Sequence, residues 1–134
     1  METININQKI QVLGGELLEQ SPQILVDVVD FADTIKIPAA EADVEIDLGV
    51  IALDDLFLFA VLADTYPLNV DGSAKVSFKV HEAISAPIPL YNMMVLAGKG
   101  AAGLLRDVPD KLFFSNTHTG DVYVSILAGR HATP

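Results

Sequence analysis

Residues 75–80 read Lys-Val-Ser-Phe-Lys-Val, in which polar and apolar side chains alternate without a break. Successive side chains leave a β-strand on opposite faces, so the pattern predicts a strand with Val76, Phe78 and Val80 on its buried face. The same alternation occurs in residues 43–48, Asp-Val-Glu-Ile-Asp-Leu, where every polar position is acidic. The sequence therefore predicts sheets with one dry face and one solvated face.

Segments on both sides of this stretch also have the composition of short strands bounded by turn residues. They are an opening hairpin closed at Gly14-Gly15 with Ile4, Ile6, Ile10 and Val12 at one parity, a buried strand at 24–31, a central strand at 57–62, a hairpin of 66–70 with 74–80 closed by Asp71-Gly72, an edge segment interrupted by Pro87 and Pro89, a strand at 91–97, and a last hairpin of 112–115 with 122–127. Eight to ten short strands without a long helix predict an all-β fold, an antiparallel β-sandwich or jelly-roll-like domain.

The length of 134 residues predicts a single domain spanning 1–134. Hydrophobic residues make up 51% of the chain and charged residues 19%, which is enough apolar material for a packed core. Within that domain, an N-terminal arm at about 1–20 and a short tail at about 129–134 are predicted to engage in assembly, because extended ends can add to the sheet of a neighbour.

The net charge is −10, and it lies in the first half of the chain. Residues 1–67 hold thirteen acids and two bases, whereas residues 68–134 hold five acids and six bases. Such an acidic chain is repelled by phosphate backbones and anionic lipid surfaces, so no nucleic acid and no membrane is expected as a partner. The asymmetry predicts an acidic surface that faces either solvent or a basic partner.

Cysteine is absent, which excludes disulfides, thiol nucleophiles and cysteine-ligated metals. The first residues carry no basic segment before an apolar one, so no export signal is expected. The longest apolar run, residues 56–63, is far shorter than the roughly 20 residues that span a bilayer.

The sequence offers no convincing catalytic, cofactor-binding or metal-binding residues. His81, His118 and His131 are far apart, and Glu82 next to His81 would point to the opposite face of a strand. The acidic clusters lack the spacing of a calcium loop. Residues 98–103 spell G-x-G-x-x-G without the parallel α/β setting that dinucleotide binding needs. We therefore expect no enzyme and no cofactor.

Four segments of the second half together resemble small structural proteins of tailed-bacteriophage virions. They are residues 66–72, 93–97, 112–117 and 120–129, which combine an apolar strand, an Asp-Gly turn and an N-T-x-T-G-D sequence leading into hydrophobic alternation. The resemblance implies a capsid decoration or cement protein that binds the major capsid protein on the virion surface after synthesis in the host cytoplasm. It also implies a homo-oligomer, with a trimer favoured.

Two alternatives remain open from the sequence. One is a tail or head–tail component of the same kind of virion. The other is a ligand- or receptor-binding β-sandwich module, which the loops at sandwich ends favour and the scarcity of aromatic residues for sugar stacking disfavours.

The strand predicted at residues 75–80 can be tested by substitution. Phe78→Asp should prevent folding because it places a charge in the core, whereas Asp47→Asn should be nearly silent. Circular dichroism with urea titration measures both. A Phe78→Asp protein that is soluble and unfolds cooperatively would show that the two faces of the strand have been exchanged.

Overall fold

The computed structural model describes residues 2–5, 8–11, 17–20, 23–26, 28–49, 56–97, 100, 103–105 and 107–130. Within those ranges it contains twelve strands and a short 3-10 helix at Gly103–Leu105. The strands are β1 (Glu2–Asn5), β2 (Gln8–Gln11), β3 (Leu17–Gln20), β4 (Gln23–Val26), β5 (Val28–Ile37), β6 (Val44–Asp47), β7 (Leu56–Ala63), β8 (Val76–Val80), β9 (Ile88–Pro89), β10 (Met94–Ala97), β11 (Lys111–Asn116) and β12 (Val122–Arg130).

Strands β5 to β12 form two four-stranded antiparallel sheets, in the orders β10-β7-β12-β5 and β6-β11-β8-β9. The pairing is nested: β5 pairs with β12, β6 with β11, β7 with β10 and β8 with β9. This is one long hairpin that has been rolled up, since β7 also pairs with β12 and β8 with β11. Rolling a hairpin in this way gives a jelly roll. The predicted all-β fold class is confirmed.

The core lies between the two sheets. Phe59 of one sheet approaches Phe78 of the other, with ring centroids 6.4 Å apart, and Phe78 stacks on Phe114 at 5.4 Å. All three rings are fully buried. The predicted parity is confirmed for β8 and β12, whose inward residues Val76, Phe78, Val80, Val122, Val124 and Ile126 are all buried. Residues 57–62 also form a central strand as predicted, since β7 lies between β10 and β12.

Near the N-terminus, β1 pairs with β4, and β2 pairs with β3. The β2–β3 pairing agrees with the predicted opening hairpin, but the register pairs Gln11 with Leu17, whereas a two-residue loop would pair Gln11 with Leu18. The predicted turn at Gly14-Gly15, with Ile6 and Val12, lies outside the described residues.

Two boundary predictions are corrected. The predicted strand at 24–31 is split between β4 and β5, which belong to different sheets, so the arm is longer than the predicted 1–20. The predicted tail at 129–134 begins too early, because Gly129 and Arg130 pair with both β5 and β7. Residues 131–134 lie outside the described residues.

One predicted hairpin is shorter than expected, and another is wrong. Residues 66–70 form no strand, and the Asp71-Gly72 turn closes only a short hairpin with a Leu68–Ala74 bridge. In it the Asn69 N–H donates to the Ser73 carbonyl oxygen and the Lys75 N–H to that of Pro67. Strands β11 and β12 exist but pair with different neighbours. In a rolled hairpin consecutive strands mostly belong to opposite sheets, so the connection crosses the sandwich instead of reversing within one sheet. Turn residues alone do not distinguish these two situations.

Asn116 holds the crossing between β11 and β12 in place. It is 1% exposed, and its amide nitrogen donates to the carbonyl oxygens of Ile37, Pro38 and Gly120 at 3.1–3.3 Å. Its side-chain oxygen accepts from the His118 backbone N–H at 2.9 Å. The asparagine therefore ties the loop to the end of β5, which explains its place at the start of the N-T-x-T-G-D sequence.

Asn116→Ala should lower the free energy of unfolding by about 2–4 kcal/mol, because it leaves several buried backbone groups without a partner. Thr119→Ala, at an exposed position of the same loop, is the matched control and should change it by less than about 0.5 kcal/mol. Urea denaturation measures both. Equal stability of the two variants would contradict the structural role of Asn116.

Candidate functional site

Of the three histidines, His81 and His118 are described, and they lie in different loops. His118 lies in the loop after β11, and its buried Nδ1 atom has no hydrogen-bond partner. His131 lies outside the described residues. The described residues contain no group of three metal-ligating side chains, and none of their helices is long and apolar enough to cross a membrane.

His81 belongs to an ion pair that the sequence did not predict. Its Nδ1 atom lies 2.7 Å from Oδ1 of Asp110, whereas Glu82 is 4.0 Å away. The hydrogen bond to Asp110 raises the pKa of His81 above its usual value, and Asp107 and Glu82 act in the same direction, while partial desolvation opposes them. His81 also has a positive φ of 75°. Asp110 is 29 positions away, so only the β8–β11 pairing brings it close.

A cleft of about 480 Å³ lies between the loop after β8 and the segment before β11. Its lining is mostly apolar, with one serine and one carboxylate, and comprises Val80, Ser85, Ala86, Ile88, Leu104, Leu105 and Asp107. No nucleophile–base pair is present among these lining residues. The cleft can hold an apolar group, with Asp107 available to a positive charge.

The outer face of the β6-β11-β8-β9 sheet is charged. Lys79 forms an ion pair with Asp43 at 3.0 Å, and Lys111 lies 3.7 Å from Glu45. The acidic residues of β6 are exposed as predicted, but lysines from the second half of the chain partly neutralise them. Because each sheet contains strands of both halves of the chain, the charge asymmetry of the sequence does not divide the molecule into an acidic and a neutral side. We call this surface the charged face.

The outer face of the β10-β7-β12-β5 sheet has a different composition. Its outward positions carry no charge along most of the sheet and are Ala32, Thr34, Leu58, Ala60, Leu62, Val95, Ala97, Ser125 and Leu127. The two hydroxyl groups, of Thr34 and Ser125, are 2.9 Å apart and satisfy each other. We call this surface the uncharged face.

The uncharged face is only partly open in the single chain. A shallow depression of about 460 Å³ is lined by Ala32, Asp33, Thr34, Leu62, Ser125, Ile126 and Leu127. The Leu62 side chain is 37% exposed, but Leu58 and Ala60 in the middle of β7 are buried, at 1% and 5%. At one end the face is bordered by polar residues, where Lys36 pairs with Tyr123 in the register and the Tyr123 N–H donates to Asp64. The open part of this face therefore includes a carboxylate.

The outermost strands of the two sheets differ in how open their edges are. On β5, Asp33 accepts a hydrogen bond from the Thr34 N–H, which occupies a donor in the middle of a ten-residue strand. Strand β9 is two residues long and contains Pro89. Short length, proline and edge charges are the usual protections against further strand pairing. Strand β6 is acidic and also short.

Strand β10, Met94–Ala97, is as short as β6 but contains neither a proline nor a charged residue. Among the described strands it pairs with β7 alone and is the outermost strand of its sheet. The preceding residues Tyr91 and Met93 are 53% and 57% exposed. An uncharged edge next to an exposed aromatic and an exposed methionine can accept an extended segment of another protein. We call β10 together with Tyr91 and Met93 the β10 edge.

The β10 edge lies within one of the segments that resemble virion proteins, but sequence reasoning assigned it no role. It was predicted only as a strand at 91–97, which is three residues longer than the observed one. Its edge position depends on strand order, which no local pattern contains. The uncharged face was missed for the same reason, because its residues come from four separate strands.

Comparison with known proteins adds no identification: no family model matches the chain, and no significant match is found among curated proteins or among solved structures. The functional conclusions therefore depend on the fold, the two faces and the edges.

The His81–Asp110 pair predicts a pH-dependent stability. Because the folded-state pKa of His81 is raised, the protonated form stabilises the fold below the unfolded pKa of about 6.5, and this stabilisation is lost as the pH rises through the folded pKa. As the pH is raised from about 6 to about 8.5, the urea midpoint of the wild type should therefore decrease more than that of His81→Asn. Asparagine is the replacement because it tolerates the positive φ of this position. Parallel pH profiles of the two proteins would show that the His81–Asp110 pair does not stabilise the fold.

Proposed function

We propose that this chain is a non-enzymatic virion structural protein, a decoration or cement protein that binds and stabilises the major capsid shell at the capsid surface. The observation that carries the proposal is the β10 edge. It is a strand edge without charge or proline, flanked by the exposed Tyr91 and Met93, in a molecule whose β9 edge contains a proline and whose β5 edge carries Asp33.

Strand addition suits this task because backbone hydrogen bonds supply affinity without a deep pocket. A segment of a shell subunit that pairs with Met94–Ala97 extends the β10-β7-β12-β5 sheet by one strand. Tyr91 and Met93 supply contact area beside that strand. A shell repeats one such contact many times, so a modest affinity per copy becomes firm retention when copies are linked to one another.

The fold is compatible with the proposal. Eight-stranded jelly rolls are common among viral capsid proteins, although lectins and other proteins share the architecture. The resemblance of four segments in the second half to virion proteins points the same way. We propose that the chain acts as a homo-oligomer, with a trimer favoured, so that several β10 edges engage the shell together.

A second candidate function is ligand or receptor binding, and the cleft before β11 favours it. The cleft combines Ile88, Leu104 and Leu105 with the carboxylate of Asp107. This lining suits a side chain or small molecule with an apolar body and a positive end. A binding site there would leave the β10 edge free, so the two candidates are separable by mutation.

Co-assembly with the major capsid protein encoded in the same genome tests the proposed function. Shells assembled with the chain are isolated by sedimentation, and the chain should sediment in a fixed ratio to capsid subunits. Met93→Lys should reduce the bound fraction at least tenfold, because a lysine beside an edge strand opposes strand addition.

The matched control is Ile84→Lys. Ile84 is 90% exposed and lies in the loop that follows β8. This variant should bind like the wild type. A chain that stays in the supernatant, or equal losses for both variants, would overturn the proposal. Normal binding of Met93→Lys with loss in Leu104→Lys would favour the cleft instead.

A further inference from the structure

We propose that the hairpin of residues 67–75, which we call the Val70 hairpin, is a rigid contact element that inserts Val70 into an apolar pocket of the shell subunit, at a site flanked by lysine or arginine side chains. This inference rests on the proposed function and deepens it, because it adds a second contact to the β10 edge and states the chemistry of the surface that receives both. It uses no residue of β10, so each contact is tested by its own variant.

The Val70 hairpin contains a tight turn that is held by hydrogen bonds within itself. The Gly72 N–H donates to the Asn69 carbonyl oxygen at 2.9 Å, and the Asn69 N–H donates to the Ser73 carbonyl oxygen at 2.7 Å. Gly72 has a φ of 88°, the left-handed conformation that glycine adopts easily and that three-residue hairpin loops commonly have at their last position. Asp71 accepts hydrogen bonds from the N–H and the hydroxyl group of Ser73, at 3.0 and 2.6 Å. The backbone of the turn is therefore fixed before any partner binds.

The residue at the tip of this turn is apolar and fully exposed. Val70 has an exposure of 109%, the highest value among the exposed large hydrophobic residues of the described chain. Leu68, two positions earlier, is 50% exposed. Turn positions are ordinarily occupied by glycine, proline, asparagine, aspartate or serine, and a valine at this position adds nothing to the core. A fixed turn that presents an exposed valine is preorganised for insertion into a pocket, because little further ordering is needed on binding.

The base of the Val70 hairpin is fixed to the sandwich. The Lys75 carbonyl oxygen accepts hydrogen bonds from the N–H and the hydroxyl group of Thr117, at 3.0 and 3.2 Å. Strand β8 begins at the next residue, Val76, whose carbonyl oxygen accepts from the Leu90 N–H at 2.9 Å. The hairpin therefore starts between the loop after β11 and the segment that leads into the β10 edge.

The Val70 hairpin and the β10 edge lie at the same end of the sandwich. Four connections meet there, residues 38–43, 64–75, 90–93 and 117–121, because β5, β7, β9 and β11 end on this side and β6, β8, β10 and β12 begin on it. We call it the Asn116 end. Its connections carry four of the eight exposed large hydrophobic residues of the described chain, which are Leu68, Val70, Tyr91 and Met93. One partner surface can therefore contact the hairpin tip and the β10 edge together.

The charge of the Asn116 end favours a basic partner. Its four connections hold five acids and one base, which are Glu41, Asp43, Asp64, Asp71, Asp121 and Lys75. Asp43 is paired with Lys79 of β8, which leaves four acids to one base. Hydrogen bonds from Ser73 lower the pKa of Asp71, so the carboxylate next to Val70 stays ionised to a lower pH than usual. Two copies that met through this end would bring like charges together, whereas lysine or arginine side chains of a shell subunit would offer opposite ones.

Substitution of Val70 tests the contact in the sedimentation assay with assembled shells. Val70→Ser removes the apolar side chain and introduces a residue that turns favour, so the urea midpoint should not decrease. The affinity for shells should fall about tenfold, because burial of a valine side chain contributes about that factor. The matched control is Ile84→Ser, which removes another exposed aliphatic side chain at the opposite end of the sandwich and should bind like the wild type.

Removal of one charge tests the chemistry of the receiving surface. Asp71→Asn keeps an oxygen that accepts the Ser73 hydrogen bonds and removes the negative charge. It should weaken shell binding severalfold at low salt, and the difference from the wild type should shrink as salt is added, because salt screens exposed charges. The control is Glu82→Gln, which removes the same charge at the opposite end, where the Glu82 side chain is 57% exposed, and should bind like the wild type.

The outcomes separate this inference from the proposed function. A wild type that does not bind shells overturns both. Loss of binding in Met93→Lys with unchanged binding of Val70→Ser overturns the inference alone and leaves the β10 edge as the contact. Tighter binding of Asp71→Asn overturns the basic surface. A dimer of the free wild type in light scattering that Val70→Ser dissociates shows that a second copy, and not the shell, receives the tip.

Discussion

The contact between Phe59 and Phe78 is the constraint on which the rest of the structure depends. It packs β7 against β8, which are consecutive strands in opposite sheets. Once these two strands face each other, the chain between them has to cross the sandwich, and the nested pairing of the remaining strands follows. The loop after β11 crosses between the sheets in the same way. The buried Asn116 side chain holds this loop in place with four hydrogen bonds, of which its amide nitrogen donates three and its oxygen accepts one.

Rolling the hairpin also determines the two outer surfaces. It places acidic β6 beside β11 and β8, whose lysines pair with it, and so produces the charged face. It gathers alanine, leucine and valine positions of β5, β7, β10 and β12 into the uncharged face. Surface ion pairs contribute little stability, typically below about 1 kcal/mol each. Their effect here is to keep the charged face solvated.

The sequence predicted what depends on local alternation and missed what depends on strand order. The burial of Val76, Phe78 and Val80 followed from period two alone, and so did the fold class. The predicted hairpin of β11 with β12 shows the limit, because the same turn residues occur whether the chain reverses within one sheet or crosses between two. The His81–Asp110 pair, the β10 edge and the uncharged face each combine residues that are distant in the chain, so neither composition nor spacing could predict them.

Radical footprinting of the free and the shell-bound protein tests most directly the proposal that the β10 edge binds the shell. Met93 represents the β10 edge, and the half-buried Phe113 represents the charged face. Shell binding should reduce the labelling of Met93 severalfold and leave that of Phe113 unchanged. Protection of Phe113 with unchanged labelling of Met93 would contradict the account.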